Sequence, residues 1–287
     1  MLTGRLLFVA FEGWNDATEA ASGALKAIAE ELDVETLAAV DPEDYYDFQF
    51  SRPMLEFDED GNRILSWPGA EFLHGSASTI DEKPQLDNIY LLIGTEPSRR
   101  WLSFTAEIVE MAQDREIDAV IFLGSMLADV PHTRPIPIFR SSTNAKMQEL
   151  FDIEPSRYEG PVGILTVLSQ ALEAEGIPTV SLWASVPHYV HNTTSPKAAL
   201  SLIAELERIS GYSFNTTKLA EQAFEWERSI DEIAEADEEM ASYVSSLEKT
   251  RDELDAEQAS GDALAREFEK YLNERPEAGS DGPKGQA

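Results

Sequence analysis

The chain is predicted to be an α/β protein: a largely parallel sheet covered by helices on both faces, followed by a helical C-terminal appendage. Three observations predict this. A continuous apolar run, Arg5-Leu-Leu-Phe-Val-Ala-Phe11, passes through a short polar turn into the alanine-rich stretch Ala17 to Leu32. Strand-like and helix-like segments then alternate as far as Ser210, which is the pattern of a sheet built from crossover units. After Gly211 the composition turns acidic and helix-forming, with heptad spacing of apolar residues.

Taken in order, Arg5 to Phe11 has strand length and no polar alternation, which suits a strand buried on both faces. Further strands are expected at Val34 to Val40, Asn88 to Gly94, Ala119 to Gly124, Ile136 to Phe139 and Thr179 to Ala184. Helices are expected at Ala17 to Leu32, Arg99 to Arg115, Ser142 to Phe151, Gly163 to Glu175 and Pro196 to Ser210. From Asp41 to Lys83 prolines and aromatics replace any helical period. Within it Met54-Leu-Glu-Phe-Asp and Arg63-Ile-Leu-Ser-Trp67 flank Asp60-Gly61, the signature of a hairpin leaving the main sheet. Residues 1–211 therefore form the α/β/α domain, with 41–83 as a hairpin-containing excursion.

Beyond Gly211, roughly twenty Asp and Glu stand against eight Lys and Arg. Leu219, Ala223, Trp226, Ile230, Ile233, Asp237, Met240, Val244, Leu247, Arg251 and Leu254 fall alternately four and three apart, a seam with polar interruptions at Asp237 and Arg251. Such a seam requires a partner, either another chain or the α/β body; Leu219, Trp226, Ile230, Ile233, Met240, Val244 and Leu247 are its candidate contacts. Ser260-Gly261-Asp262 is expected to break the helix, with Ser260 or Asp262 capping a last short one within the acidic region 212–273. Residues 274–287, rich in Gly, Pro and charge, are expected to be disordered.

The 287 residues carry 54 acids against 22 bases, a formal charge of −32. That balance argues against nucleic acid and anionic membrane surfaces as partners, since both recruit clustered Lys and Arg. The absence of cysteine removes disulfides, thiolate metal sites and a cysteine nucleophile, and suits a reducing compartment. No apolar run approaches membrane-spanning length, so a cytoplasmic protein is expected.

Chemistry-bearing residues gather just past the predicted strand ends, where open α/β sheets bind ligands. The tripeptide Val-Pro-His occurs twice, at 130–132 and 186–188, each time after a strand. Around the first, Asp129, His132 and Arg134 bring an acid, an imidazole and a guanidinium within six residues. They suit general base work with anion stabilisation, or a salt bridge pinning a proline-rich loop. Ser125 follows Gly124 but lacks the second glycine of a nucleophile elbow. The turn Glu12-Gly13-Trp14-Asn15-Asp16 can hold an anion at a helix N-terminus, or Asn15 or Asp16 can simply cap that helix. Glu96 and Arg99 flank Pro97-Ser98 at another strand exit, as a carboxylate and an acid clamp, or as an ion pair beside a Ser98 cap. His188 and His191 stand three apart without any compact metal-ligand pattern, so no metal is assigned. Gly160-Pro-Val-Gly163 lacks the Lys and Ser or Thr of a phosphate loop, and no cofactor is assigned.

Read together, Phe11-Glu-Gly-Trp-Asn-Asp-Ala17, Gly94-Thr-Glu-Pro97, Leu127-Ala-Asp-Val-Pro-His-Thr-Arg-Pro135, Gly160-Pro-Val-Gly-Ile164 and Leu182-Trp-Ala-Ser-Val-Pro-His-Tyr189 resemble the proteasome assembly chaperone 2 family. The chain is most similar to the larger, acidic-tailed bacterial members of actinobacteria. The resemblance spans residues 4 to 210 and extends to the seam from Trp226 to Leu247. It implies a three-layer α/β/α sandwich of the phosphorylase/hydrolase-like kind and a homotrimer. Eukaryotic relatives chaperone proteasome α rings and dock through a C-terminal hydrophobic-Tyr-any motif; this chain ends Gly282-Pro-Lys-Gly-Gln-Ala287, which argues against docking by that route.

Two functions follow as expectations. The first is a protein-interaction or assembly factor that forms a homo-oligomer. The second is a small-molecule binder or enzyme, for a nucleoside-like or carboxylate-like ligand, with a pocket formed by Gly13, Trp14, Asp16, Glu96, Arg99, Asp129, His132, Arg134 and His188. No catalytic residue is assigned.

Overall fold

The structure is a computed structural model that describes residues 1–273 apart from 59–60, 77–78, 80–81, 84–85 and 156–157, with side chains described to residue 256. The C-terminal stretch 274–287, expected to be disordered, lies outside the described residues.

A seven-stranded sheet runs in the order β2-β5-β6-β1-β7-β9-β8. Its centre is β1 (Leu6–Glu12), which pairs in parallel with β6 (Ile89–Thr95) and β7 (Ala119–Ala128), and β7 pairs in parallel with β9 (Thr179–Pro187). Antiparallel strands close both edges. On one side are β5 (Ala70–Gly75) and β2 (Val34–Ala39); on the other is β8 (Ile138–Ser141). Each face of the sheet carries its own core. Leu6, Phe8 and Ala10 pack with helices α1 (Ala20–Leu32) and α6 (Pro196–Ser210), while Leu7, Val9 and Phe11 pack with α3 (Trp101–Asp114) and α5 (Ile164–Ala174). Coverage on both faces is why β1 is apolar without alternation. The three-layer α/β/α prediction holds.

Local chemistry fixes the element ends. Ser195 accepts from the Ala198 amide and Pro196 occupies the first turn of α6, whose far end closes on Gly211 at φ 79°, a left-handed position suited to glycine. Helix α4 (Ala145–Phe151) starts at Asn144, whose side chain accepts from Lys146 and Met147. Helix α3 starts later than expected. Arg100, rather than Ser98, occupies its N-cap position without a side-chain cap, and the Ser98 amide instead donates to the Tyr45 carbonyl beside the short α2 (Pro42–Tyr45).

The stretch 41–83 divides in two. The hairpin is present as β3 (Met54–Phe57) and β4 (Arg63–Ser66), a separate two-stranded sheet. The rest does not leave the main sheet: β5 inserts between β2 and β6, unforeseen in a segment short of strand signals. The acidic region forms α7 (Thr217–Glu235) and α8 (Glu238–Asn273). Asp237 breaks the seam because its carboxylate accepts from the Glu239 and Met240 amides and caps α8. The helix then continues through Ser260-Gly261-Asp262, where a break was expected. A single interior glycine costs only about 1 kcal/mol and does not end a helix without a proline. No helix among the described residues is long and apolar enough to cross a membrane.

Two glycines separate packing from flexibility. A Cβ on Gly94 would lie 2.4 Å from the Gly69 carbonyl oxygen, whereas one on Gly23 in α1 would make an ordinary 4.0 Å contact with Ala199. Gly94→Ala should cost about 1–3 kcal/mol in urea unfolding, whereas Gly23→Ala should be neutral or stabilising by up to about 1 kcal/mol. Equal effects would contradict the β5–β6 register.

Candidate functional site

Strands β1, β6, β7 and β9 all end at one edge of the sheet, and the loops beyond them carry all nine candidate residues. The side chains of Asp16 and Glu96 belong to one polar network and those of Asp129, His132, Arg134 and His188 to a second, while Trp14 and Arg99 join neither.

The first network ties the β1 exit to β6, β7 and α5. Asp16 is buried; its carboxylate accepts from the Ala21 amide at 2.7 Å, the Ser22 amide at 3.3 Å and the Ser125 hydroxyl at 3.3 Å. It therefore caps α1, and burial raises its pKa above the ordinary carboxylate value despite those donors. Asn15 donates from Nδ2 to Glu96 Oε1 at 3.0 Å, and the same oxygen accepts from the Ile164 amide at 2.9 Å, the first turn of α5. Glu96 thus caps a helix and holds a turn. A Cβ on Gly163 would fall 2.3 Å from Asn15 Oδ1, so only glycine lets α5 approach this turn. Gly13, at φ 120°, sits where glycine is favoured, while Thr18 and Glu19 hold left-handed conformations at φ 59° and 53°. Trp14 points outward, 66% exposed. Arg99 does not pair with Glu96, because its guanidinium donates to the Glu43 carbonyl.

The second network is a clamp on the C-terminal helices. His132 is 1% exposed. Tyr189 Oη accepts from the His132 amide at 2.8 Å and lies 2.8 Å from Nδ1, while Nε2 lies 3.0 Å from Asp231 Oδ1 on α7. Burial pushes the Tyr189 hydroxyl up to about 12, so it keeps its proton and can donate to Nδ1; Nε2 then carries the hydrogen that Asp231 accepts. The His132 carbonyl accepts from Lys197, which also pairs with Glu227 at 2.5 Å. Nearby, Arg134 grips Asp252 of α8 with two bonds of 2.7 and 2.8 Å and reaches Glu248 at 3.2 Å. Asp129 accepts from Tyr243 at 3.3 Å; His188 Nδ1 lies 3.2 Å from Asp129 Oδ1 but off the line of a hydrogen bond. The His188 ring stands edge-on to Tyr189 and Tyr243.

Seam residues complete this contact. Trp226 and Ile230 are buried with Val190, Met240 packs beside them, and Leu219, Val244 and Leu247 are also buried. Ile233 differs, remaining 59% exposed. Within one chain, the seam lies largely against the α/β body. Tyr189, Lys197, Asp231, Tyr243, Glu248 and Asp252 were not singled out from sequence. Asp231 beside Ile230 in the seam was the available signal, but its partner lies 99 residues away.

This arrangement defines an α/β/α protein whose strand-exit loops hold a helical arm, with the donors and acceptors of its buried histidine engaged internally. The PAC2 family model matches residues 10–234, and the chain belongs to that family. It is similar to the PAC2 family protein of Streptomyces avermitilis and to the proteasome-assembly chaperone homologue of Mycobacterium tuberculosis. Each is 37% identical with a TM-score of 0.73, over 83% of this chain and 99% of the relative. An archaeal proteasome activator from Pyrococcus furiosus, 14% identical with a TM-score of 0.61 over 80% of this chain and 93% of its own, shares the fold. No curated protein matches the chain.

Two measurements probe the networks. Tyr189→Phe leaves the His132 amide and Nδ1 without their partner, and thermal or urea unfolding should lose about 1–3 kcal/mol; an unchanged midpoint would contradict the clamp. For Asp16, the folded pKa exceeds the unfolded one, so the unfolded chain releases its proton first and stability falls as pH rises through the folded value. The stability of Asp16→Asn relative to the unsubstituted chain should therefore improve from below pH 3.8 toward neutrality, and a pH-independent difference would refute the burial effect.

Proposed function

We propose that this chain is a protein-interaction or assembly factor. It acts in the cytoplasm as a homo-oligomer, the trimer that its family resemblance implies. The observation that carries this proposal is the placement of exposed apolar side chains. Trp14 follows β1, Met126 and Leu127 end β7, Leu102 opens α3, and Val162 precedes α5; all are exposed. These positions share the strand-exit edge, joined by the contacts of Asn15 with Ser125 and of Glu96 with Asn15 and Ile164. Gathered apolar exposure of this kind marks protein interfaces.

The same edge offers little free chemistry. Glu96 and Asp16 cap helices, and His132 and Arg134 hold the C-terminal arm. This favours interaction over the alternative of a nucleoside- or carboxylate-binding enzyme. The names of the bacterial and archaeal relatives make proteasome subunits the first partners to try.

The test pairs two experiments on the full chain. Purified proteasome subunits of the same host are titrated against the chain and against a Trp14→Ser/Leu102→Ser variant, while nucleosides, phosphate and small carboxylates are screened by thermal shift. The proposal expects subunit binding that the variant weakens at least about tenfold, the scale of a lost apolar anchor. Absence of subunit binding, together with a small-molecule shift abolished by Glu96→Gln, would overturn it.

A further inference from the structure

We infer that the β3–β4 hairpin is an arm by which one copy of this chain grips a second copy. The inference deepens the proposal above and rests on the same strand-exit end of the molecule. In the hairpin register Leu55 lies opposite Leu65 and Phe57 opposite Arg63, whereas Met54 faces Ser66 and Glu56 faces Ile64. Directly opposed residues share a face and alternate residues share it along a strand. One face is therefore Leu55, Phe57 and Leu65 with Arg63 at its margin, and the other is mixed. All eight strand residues are exposed, Phe57 by 70% and Leu65 by 55%.

An isolated two-stranded hairpin is marginal in water unless its apolar face is packed. The arm's own body leaves this face uncovered. The hairpin leads directly into β5, whose first residue pairs with Gly94 near the end of β6, so the arm springs from the strand-exit end.

Charge selects the occupant. Arg63 and Arg52, at the margin and base of the arm, make no ion pair among the described residues, although the chain has 54 acids to 22 bases. An apolar face edged by uncommitted arginine fits an apolar patch beside an exposed acid. Such a patch lies on every other copy. Met126 and Leu127 are exposed at the end of β7, and the Asp129 side chain next to them is 80% exposed. Arm and receptor are different surfaces of one subunit, so their contact is heterologous and builds a ring if the rotation closes. Strand addition along the hairpin edge would leave Leu55, Phe57 and Leu65 wet.

Sedimentation velocity on the full chain over a range of concentrations tests the inference. The unsubstituted chain should sediment as an oligomer and Phe57→Ser/Leu65→Ser as a monomer with unchanged circular dichroism, both side chains being exposed within the subunit, and with a melting temperature lowered only by the lost association. Arg63→Asp should weaken association about tenfold or more, the scale of one charge-assisted contact. The chain has no cysteine, so copies carrying Phe57→Cys can be mixed with copies carrying Leu127→Cys and treated with a short thiol cross-linker. Mixed-pair cross-links that exceed those of either copy alone support the contact. A monomeric unsubstituted chain, or an oligomer that survives Phe57→Ser/Leu65→Ser, overturns it. A monomer that still binds a proteasome subunit removes the arm contact and the homo-oligomer but leaves partner binding standing; an arm-dependent oligomer that binds none keeps the arm contact and removes partner binding.

Discussion

The buried imidazole of His132 is the contact on which the joining of the two halves of this protein depends. It lies where the β7 exit, the β9 exit and α7 meet, and its amide, both ring nitrogens and carbonyl each have a partner. A buried polar group costs little when fully satisfied and several kcal/mol when it is not. The arrangement is therefore close to all-or-none: Tyr189, Asp231 and Lys197 must be in place together, which fixes α7 relative to the sheet. Trp226, Ile230 and Val190 supply the apolar burial around it.

The chain's excess of acid makes that joint necessary. Two strongly acidic parts repel unless basic groups stand between them, and Lys197 and Arg134 occupy that position, engaging Glu227, Glu248 and Asp252. Arg134 is only partly buried and its partner Asp252 is more than half exposed, so these pairs orient α8 more than they stabilise it. The histidine and the seam beneath it carry the stabilising part. The other network, around Asp16 and Glu96, works differently: it spends carboxylates on helix amides and so leaves the apolar side chains of the same edge facing outward.

Much of the fold was legible because it rests on local signals. The uninterrupted apolar run of β1, the Ser195-Pro196 start and Gly211 end of α6, and the hairpin turn are all written within a few residues. Strand β5 was not legible, since its place depends on β2 and β6 rather than on its own short sequence. The continuation of α8 through Gly261 is not legible locally, because an interior glycine looks like a stop yet costs a helix only about 1 kcal/mol. The nine candidates lie just beyond strand ends, but what their side chains do depends on distant partners. His132 looked like chemistry because its neighbours in sequence are Asp129 and Arg134, while its neighbours in space are Tyr189 and Asp231.

The acidic arm is an integral layer of the domain, held through the paired Val-Pro-His loops. Native-state hydrogen exchange resolved by residue distinguishes such a layer from an appendage that opens on its own. Amides of α7 around Trp226 to Ile230 should exchange with the same opening free energy as the neighbouring strands β7 and β9, as parts of one cooperative unit. Exchange of α7 at the rate of an exposed, independently fraying helix while β7 and β9 remain protected would contradict it.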